Sequence, residues 1–180
     1  MPHHQELNIW MNSELVGLWS KRSGKEVLQY SNKWVESKRG RPLSLSLPFI
    51  PGNQSHRGNN VQFYFDNLLP DSRDIRERLA KKFGANSDSP FDLLTEIGRD
   101  CVGAIQLLLP DQVPRDVKQI DCETLTESDV AKILRNTNSK NLLGHTESDS
   151  ELRLSIAGAQ EKTALLWHEN QWCLPLGATP

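Results

Sequence analysis

Hydrophobic and polar positions alternate through the first third of the chain. Leu7-Asn8-Ile9-Trp10-Met11 and Glu14-Leu15-Val16-Gly17-Leu18-Trp19 read as two strands, and Asn12-Ser13 between them has the composition of a tight hairpin turn. Val27-Leu28-Gln29-Tyr30 continues the pattern as a third strand. Leu43, Leu45 and Leu47 alternate with Ser44 and Ser46, a period of two that predicts a half-buried strand closed by Pro48 and Pro51-Gly52. The polar run over 52–60 predicts a surface loop.

The period then lengthens. The apolar and aromatic run from Val61 to Leu69 stops at Pro70, and Asp71 or Ser72 can cap a helix that puts Ile75, Leu79 and Phe83 on one face before Gly84. Ser89-Pro90 starts a further helix, with Phe91, Leu94 and Ile97 facing inward and Gly98 as its stop. Residues 102–109 read as a buried strand, and 111–123 as a polar loop. Thr126-Glu127-Ser128-Asp129 is the aspartate form of a capping box, ahead of a helix bearing Val130, Ile133 and Leu134. After the polar stretch 136–150, the residues around Glu169-Asn170 predict a last hairpin. The fold class is α+β with antiparallel strands predominating.

Charge narrows the functional classes. The 180 residues carry 21 Lys+Arg against 23 Asp+Glu, a formal net charge of −2, which argues against a uniformly basic nucleic-acid binder. No apolar run approaches the roughly 20 residues of a membrane span, and the first residues lack a signal-peptide pattern. A cytoplasmic protein is expected, without membrane contact. Cys101, Cys122 and Cys173 are widely spaced, with no CxxC pair and no histidine at ligand spacing, so free thiols and no metal site are expected.

Few residues suggest chemistry by themselves. Ser155-Ile156-Ala157-Gly158-Ala159-Gln160-Glu161-Lys162-Thr163 joins two predicted strands through small side chains, which would let backbone N–H groups approach a phosphate. A simple turn would have the same composition. Arg73, Arg76, Arg78, Lys81 and Lys82 share a helix with Asp74 and Glu77, next to Asp71, so most of that charge is compensated locally. Lys38-Arg39-Gly40-Arg41 is a shorter basic cluster. No Gly-x-Ser-x-Gly elbow and no HExxH helix occurs.

Four segments taken together resemble the N-terminal part of HipA, the serine/threonine kinase toxin of bacterial HipBA toxin–antitoxin systems. They are Arg41-Pro42-Leu43-Ser44-Leu45-Ser46-Leu47-Pro48, Phe65-Asp66-Asn67-Leu68-Leu69-Pro70-Asp71-Ser72, Pro90-Phe91-Asp92-Leu93-Leu94-Thr95-Glu96-Ile97-Gly98-Arg99-Asp100 and the run from Ser155 to Leu165. The resemblance implies an N-terminal β-rich module with helices over 1–110, a helix and polar linker over 111–150, and the start of a protein-kinase-like N-lobe over 151–180. It implies ATP and Mg²⁺ as ligands and a protein substrate, glutamyl-tRNA synthetase in the best-known case. Ala157, Gly158, Ala159, Gln160, Glu161 and Lys162 would form the ATP phosphate loop, and Ser155 would be the autophosphorylated serine that switches the kinase off.

The same resemblance implies partners: a HipB-like helix-turn-helix antitoxin, operator DNA through it, and a separate catalytic lobe. Phosphoryl transfer requires a strand lysine, a catalytic-loop aspartate and metal-holding residues. No HRD-like or DFG-like run occurs in this sequence, so no catalytic or metal residue is assigned and this chain alone is expected to be inactive. A truncated toxin is the leading expectation. A stand-alone regulator that binds a HipA-like kinase, and a module that docks on the antitoxin, are the alternatives.

Overall fold

The computed structural model describes residues 6–22, 24–99, 101, 104–114, 120–138, 164–176 and 179. Its larger sheet is antiparallel with strand order β4-β3-β2-β1-β5, where β1 is Glu6–Met11, β2 Glu14–Arg22, β3 Lys25–Tyr30, β4 His56–Arg57 and β5 Ile105–Leu108. The expected first hairpin forms. Asn12 and Ser13 adopt φ of 49° and 64°, the double left-handed turn that matches the twist of paired strands. A register shift after Ile9 pairs Ile9 with Gly17 but Trp10 with Leu15, so Val16 is the extra residue of a bulge. Gly17 is required there, because a Cβ would lie 2.4 Å from the carbonyl oxygen of Gln29 on β3.

One face of this sheet is buried beneath helices. Alternation in β1 and β3 sends Leu7, Ile9, Met11, Leu28 and Tyr30 inward. The short helix α1 (Asn32–Glu36) contributes Trp34, α2 (Asn59–Asp66) contributes Val61 and Phe65, and α4 (Pro90–Ile97) contributes Phe91, Leu93, Leu94 and Ile97. Trp19 of β2 is the centre of this core. Its ring stacks on Phe65 at 3.8 Å between centroids and meets Phe91 edge-on at 4.7 Å, so one side chain ties the sheet to two helices. Between them, α3 (Arg73–Phe83) buries Leu79 and ends at Gly84, which has φ of 70° as a left-handed helix stop requires.

The helix starts vary in how they are capped. At α4 the Ser89 hydroxyl accepts the Asp92 N–H at 3.4 Å, as its sequence predicts. Ser72 occupies the capping position of α3 without a side-chain cap bond. The aspartate box ahead of α5 (Glu127–Asn138) is formed: Asp129 N–H donates to Thr126 Oγ1 at 3.2 Å, and Thr126 N–H to Asp129 Oδ2 at 3.2 Å.

Three expectations are corrected. The polar run expected as a loop over 52–60 also holds β4, which pairs with β3, and the first residues of α2 from Asn59. The period-two run Leu43-Leu45-Leu47 is a turn, not a strand, because the Tyr30 hydroxyl binds the Leu43 N–H and the Leu47 carbonyl that a strand would offer to a neighbour. The loop expected over 111–123 contains the start of β6 (Cys122–Leu125), which pairs with β8 (Gln171–Pro175) some 50 residues later. That second sheet has order β6-β8-β7, and β7 (Leu166–His168) joins β8 through Glu169 and Asn170 at φ of 50° and 62°, the predicted last hairpin.

Candidate functional site

Residues Ala157, Gly158, Ala159, Gln160, Glu161 and Lys162, assigned as the phosphate loop, and Ser155 lie outside the described residues. Their C-terminal neighbour in sequence, the β7–β8 hairpin, is described. Trp167 and Trp172 face each other across it with ring centroids 5.0 Å apart, and they remain 56% and 39% exposed. On the opposite face, Cys122 lies diagonal to the buried Cys173. Hydrogen bonding to Cys173 pushes the Cys122 thiol up from its ordinary range, so it is a poor nucleophile. At the hairpin tip, His168 Nε2 stands 3.8 Å from Glu169 Oε1.

Three polar contacts stand out in this domain, two of them at motif segments: one at buried Tyr30, one at partly buried Arg76 and one between Trp19 and Glu26 in the core. The first is Tyr30, 2% exposed, whose hydroxyl donates to the Leu47 carbonyl at 2.6 Å and accepts the Leu43 N–H at 2.9 Å. Burial pushes its pKa up to about 12, so it stays a neutral donor across the physiological range. Around it, Asn53 Nδ2 donates to the Tyr30 carbonyl at 2.9 Å and Trp34 Nε1 donates to the Arg41 carbonyl at 2.9 Å. His56 Nε2 is 2.7 Å from the Pro48 carbonyl oxygen, and Phe49 meets the Tyr30 ring edge-on at 4.9 Å. The segment from Arg41 to Pro48 is therefore a fixed turn whose apex is Leu45.

The second contact fixes the segment from Phe65 to Ser72. Arg76, with its side chain 14% exposed, donates through Nε to the Pro70 carbonyl at 2.6 Å and through Nη1 to Asp66 Oδ1 at 2.5 Å. Nη2 reaches the Asp66 carbonyl at 3.3 Å. One guanidinium thereby holds the end of α2 and the loop before α3, a use suited to its planar fork of donors. Arg73 pairs with Glu77 at 3.1 Å and with Asp88 at 3.5 Å, so among the described residues only Glu77, of the expected partners Asp71, Asp74 and Glu77, forms an ion pair on this helix. The third contact is the bond from Trp19 Nε1 to Glu26 Oε2 in the core. Burial pushes the Glu26 carboxyl above the usual glutamate range, while the Trp19 bond and nearby Lys21 pull the other way.

The motifs mark these segments, but the residues that hold them were not legible as functional. Tyr30 is 13 residues from Leu43, and Arg76 is 10 from Asp66. Among the described residues no group of three or more His, Cys, Asp or Glu side chains could hold a metal ion, and no helix is long and apolar enough to cross a membrane.

Comparison with known proteins extends these observations. The family model for the HipA N-terminal domain matches residues 7–108, the larger sheet and its helices. Two proteins of Sinorhizobium fredii (strain NBRC 101917 / NGR234) are similar in sequence. "Putative kinase Y4mE" is 33% identical over 174 residues, covering 94% of this chain and 40% of that protein. "Putative kinase Y4dM" is 32% identical over 110 residues, covering 58% of this chain and 27% of that protein. Among solved structures, the Shewanella oneidensis MR-1 complex of HipA, HipB and operator DNA contains a chain with TM-score 0.65 and 22% identity, over 96% of this chain and 38% of that one. This chain thus spans about two fifths of the length of Y4mE and of that solved chain. With the domain matched over more than half its length and the same α+β architecture, the chain belongs to the family that carries the HipA N-terminal domain.

Proposed function

We propose that this chain is the N-terminal, ATP-side part of a HipA-like serine/threonine kinase toxin that arrests growth by phosphorylating a protein. The observation that carries this reading is the reach of the likeness. It covers the domain at 7–108 and continues, in a relative named as a kinase, through 94% of the chain and so into the 155–165 segment. In this reading the backbone from Ala157 to Lys162 receives the ATP phosphates. Ser155 receives a phosphoryl group as an off-switch: a dianion there would compete with ATP for the same donors. A glutamyl-tRNA synthetase is the substrate class the family suggests, and a HipB-like antitoxin with its operator DNA is the partner.

No Mg²⁺ chemistry is assigned to the described residues, among which no group of three or more His, Cys, Asp or Glu side chains gathers. A catalytic half carried elsewhere would bring the metal ligands and the catalytic base. A stand-alone regulator is the second reading. One observation favours it: the buried core is drawn from residues 7 to 107, so the module has a core of its own.

Hydrogen exchange over 155–165 tests the proposal, with the 180-residue chain mixed with the C-terminal half of a HipA-like kinase. Slower exchange in that segment on adding ATP and Mg²⁺ is the expected result. Exchange that ATP leaves unchanged in the reconstituted pair would overturn the ATP-side assignment and favour the regulator.

A further inference from the structure

Two of the three cysteines meet on one face of the smaller sheet. Leu176 N–H donates to the Asp121 carbonyl at 2.8 Å, which makes Asp121 and Leu176 a hydrogen-bonded pair of facing residues. Cys122 with Pro175, and Thr124 with Cys173, are therefore non-hydrogen-bonded pairs, in which facing strands bring their side chains closest. Cys122 and Thr124, two residues apart, share a face of the sheet, so Cys122 and Cys173 are diagonal neighbours on that face. Their thiols are hydrogen-bonded to each other.

Burial gives the two thiols different roles. Cys173 is 1% exposed, whereas Cys122 is only partly buried and can meet a small solute. An accessible thiol with a second thiol beside it is the arrangement in which oxidation of the first is resolved by the second. Diagonal neighbours in a sheet stand about 7–8 Å apart at Cα, just beyond the span of a relaxed disulfide, so closing the bond must draw β6 and β8 slightly together. A bond closed under such strain is readily reduced, which makes the change reversible.

We propose that Cys122 and Cys173 are a reversible redox pair, oxidised by a peroxide to a disulfide that staples β6 to β8. Cys122, as its thiolate, attacks the peroxide; the O–O bond breaks, hydroxide leaves and the sulfur becomes a sulfenic acid. The Cys173 sulfur then displaces the sulfenic oxygen, again as hydroxide. The two hydroxides take up the two thiol protons, so two thiols and one hydrogen peroxide give one disulfide and two waters. Because the Cys122 thiol is pushed up, the first step is slow, and the pair responds to sustained rather than brief exposure. The ring closed by the bond contains α5 and the 155–165 segment. The pairing follows from the sheet alone and is independent of the proposed function.

Peptide mapping of the full 180-residue chain tests the proposal, after hydrogen peroxide treatment of wild type, Cys122→Ser and Cys173→Ser and digestion without reductant. Wild type should yield two peptides joined through Cys122 and Cys173, lighter by two hydrogens than the separate thiols and parted again by dithiothreitol. Cys101, buried in the core of the larger sheet, should stay a thiol. Backbone hydrogen exchange in β6 and β8 should slow on oxidation of wild type and of neither variant, since a staple suppresses local opening. A joined pair that forms only when the chain is unfolded in urea overturns the proposal, because the sheet would then not be what brings the thiols together. So do two thiols that survive the treatment intact, a disulfide through Cys101, or Cys122 carried to the sulfinic acid while Cys173 stays a thiol. Each of these outcomes is read on wild type, so none depends on a variant that fails to fold.

Discussion

Replacing Tyr30 by Phe removes one oxygen atom and leaves the rest of its surroundings in place. The ring keeps its edge-on contacts with Phe49 and with His56, at 4.9 and 6.0 Å between centroids. What is lost are the bonds at 2.6 Å to the Leu47 carbonyl and at 2.9 Å from the Leu43 N–H. Leu47 is fully buried, so its carbonyl would be left without a partner, while half-buried Leu43 can recruit water. A buried polar group without a partner costs about 1–3 kcal/mol, which puts the whole change near 2–3 kcal/mol. With a urea slope of about 2 kcal/mol per molar, the unfolding midpoint should fall by about 1 M. Tryptophan fluorescence suits the assay, because Trp19 and Trp34 are buried in the same core.

The variant should also lose an alkaline transition. The fold holds the phenol neutral with a pKa of about 12, above the ordinary value of 10.0. Its stabilising effect is complete below that ordinary value and disappears as pH rises through about 12. A midpoint within about 0.2 M of wild type, on the same slope, would refute the view that Tyr30 is the clamp of the 43–47 turn.

Three further perturbations probe the frame. Gly17→Ala places a Cβ 2.4 Å from the Gln29 carbonyl oxygen and should cost at least about 2 kcal/mol in urea unfolding, since backbone rather than a movable side chain must yield. Glu26→Gln keeps an acceptor for Trp19 Nε1 but cannot ionise; because the native carboxyl is shifted upward, wild-type stability should decline as pH climbs through the raised value, and the variant should show no such slope. Ser13→Gly relieves a left-handed φ of 64° and should raise stability by about 0.5 kcal/mol, after the larger chain entropy of glycine is subtracted, as the shift in thermal midpoint would show.

Much of the fold could be read from local pattern, and the exceptions share one cause. The Asn12-Ser13 hairpin, the Ser89-Pro90 to Gly98 helix and the Glu169-Asn170 hairpin are specified by neighbours in sequence, and all three form. Leu43, Leu45 and Leu47 satisfy a strand's period of two, but a turn that half-buries its first leucine and buries its last satisfies it as well. The deciding partner, Tyr30, is remote in sequence. Polar Glu123 and Thr124 gave β6 no alternation to recognise; it exists because β8 pairs with it from 171–175. The phosphate-loop assignment came from family resemblance and not from its one glycine. The residues that hold the motif segments, Tyr30 and Arg76, became visible only as tertiary contacts.

Transfer of radiolabelled γ-phosphate from ATP with Mg²⁺ tests the central claim most directly, using the 180-residue chain with and without the C-terminal half of a HipA-like kinase and Ser155→Ala as the control. Label on Ser155 that appears only when both parts are present, and vanishes in Ser155→Ala, is the predicted result. Label that never reaches this chain or an added synthetase, although the two parts bind each other, would contradict the account and leave the chain as a binding module.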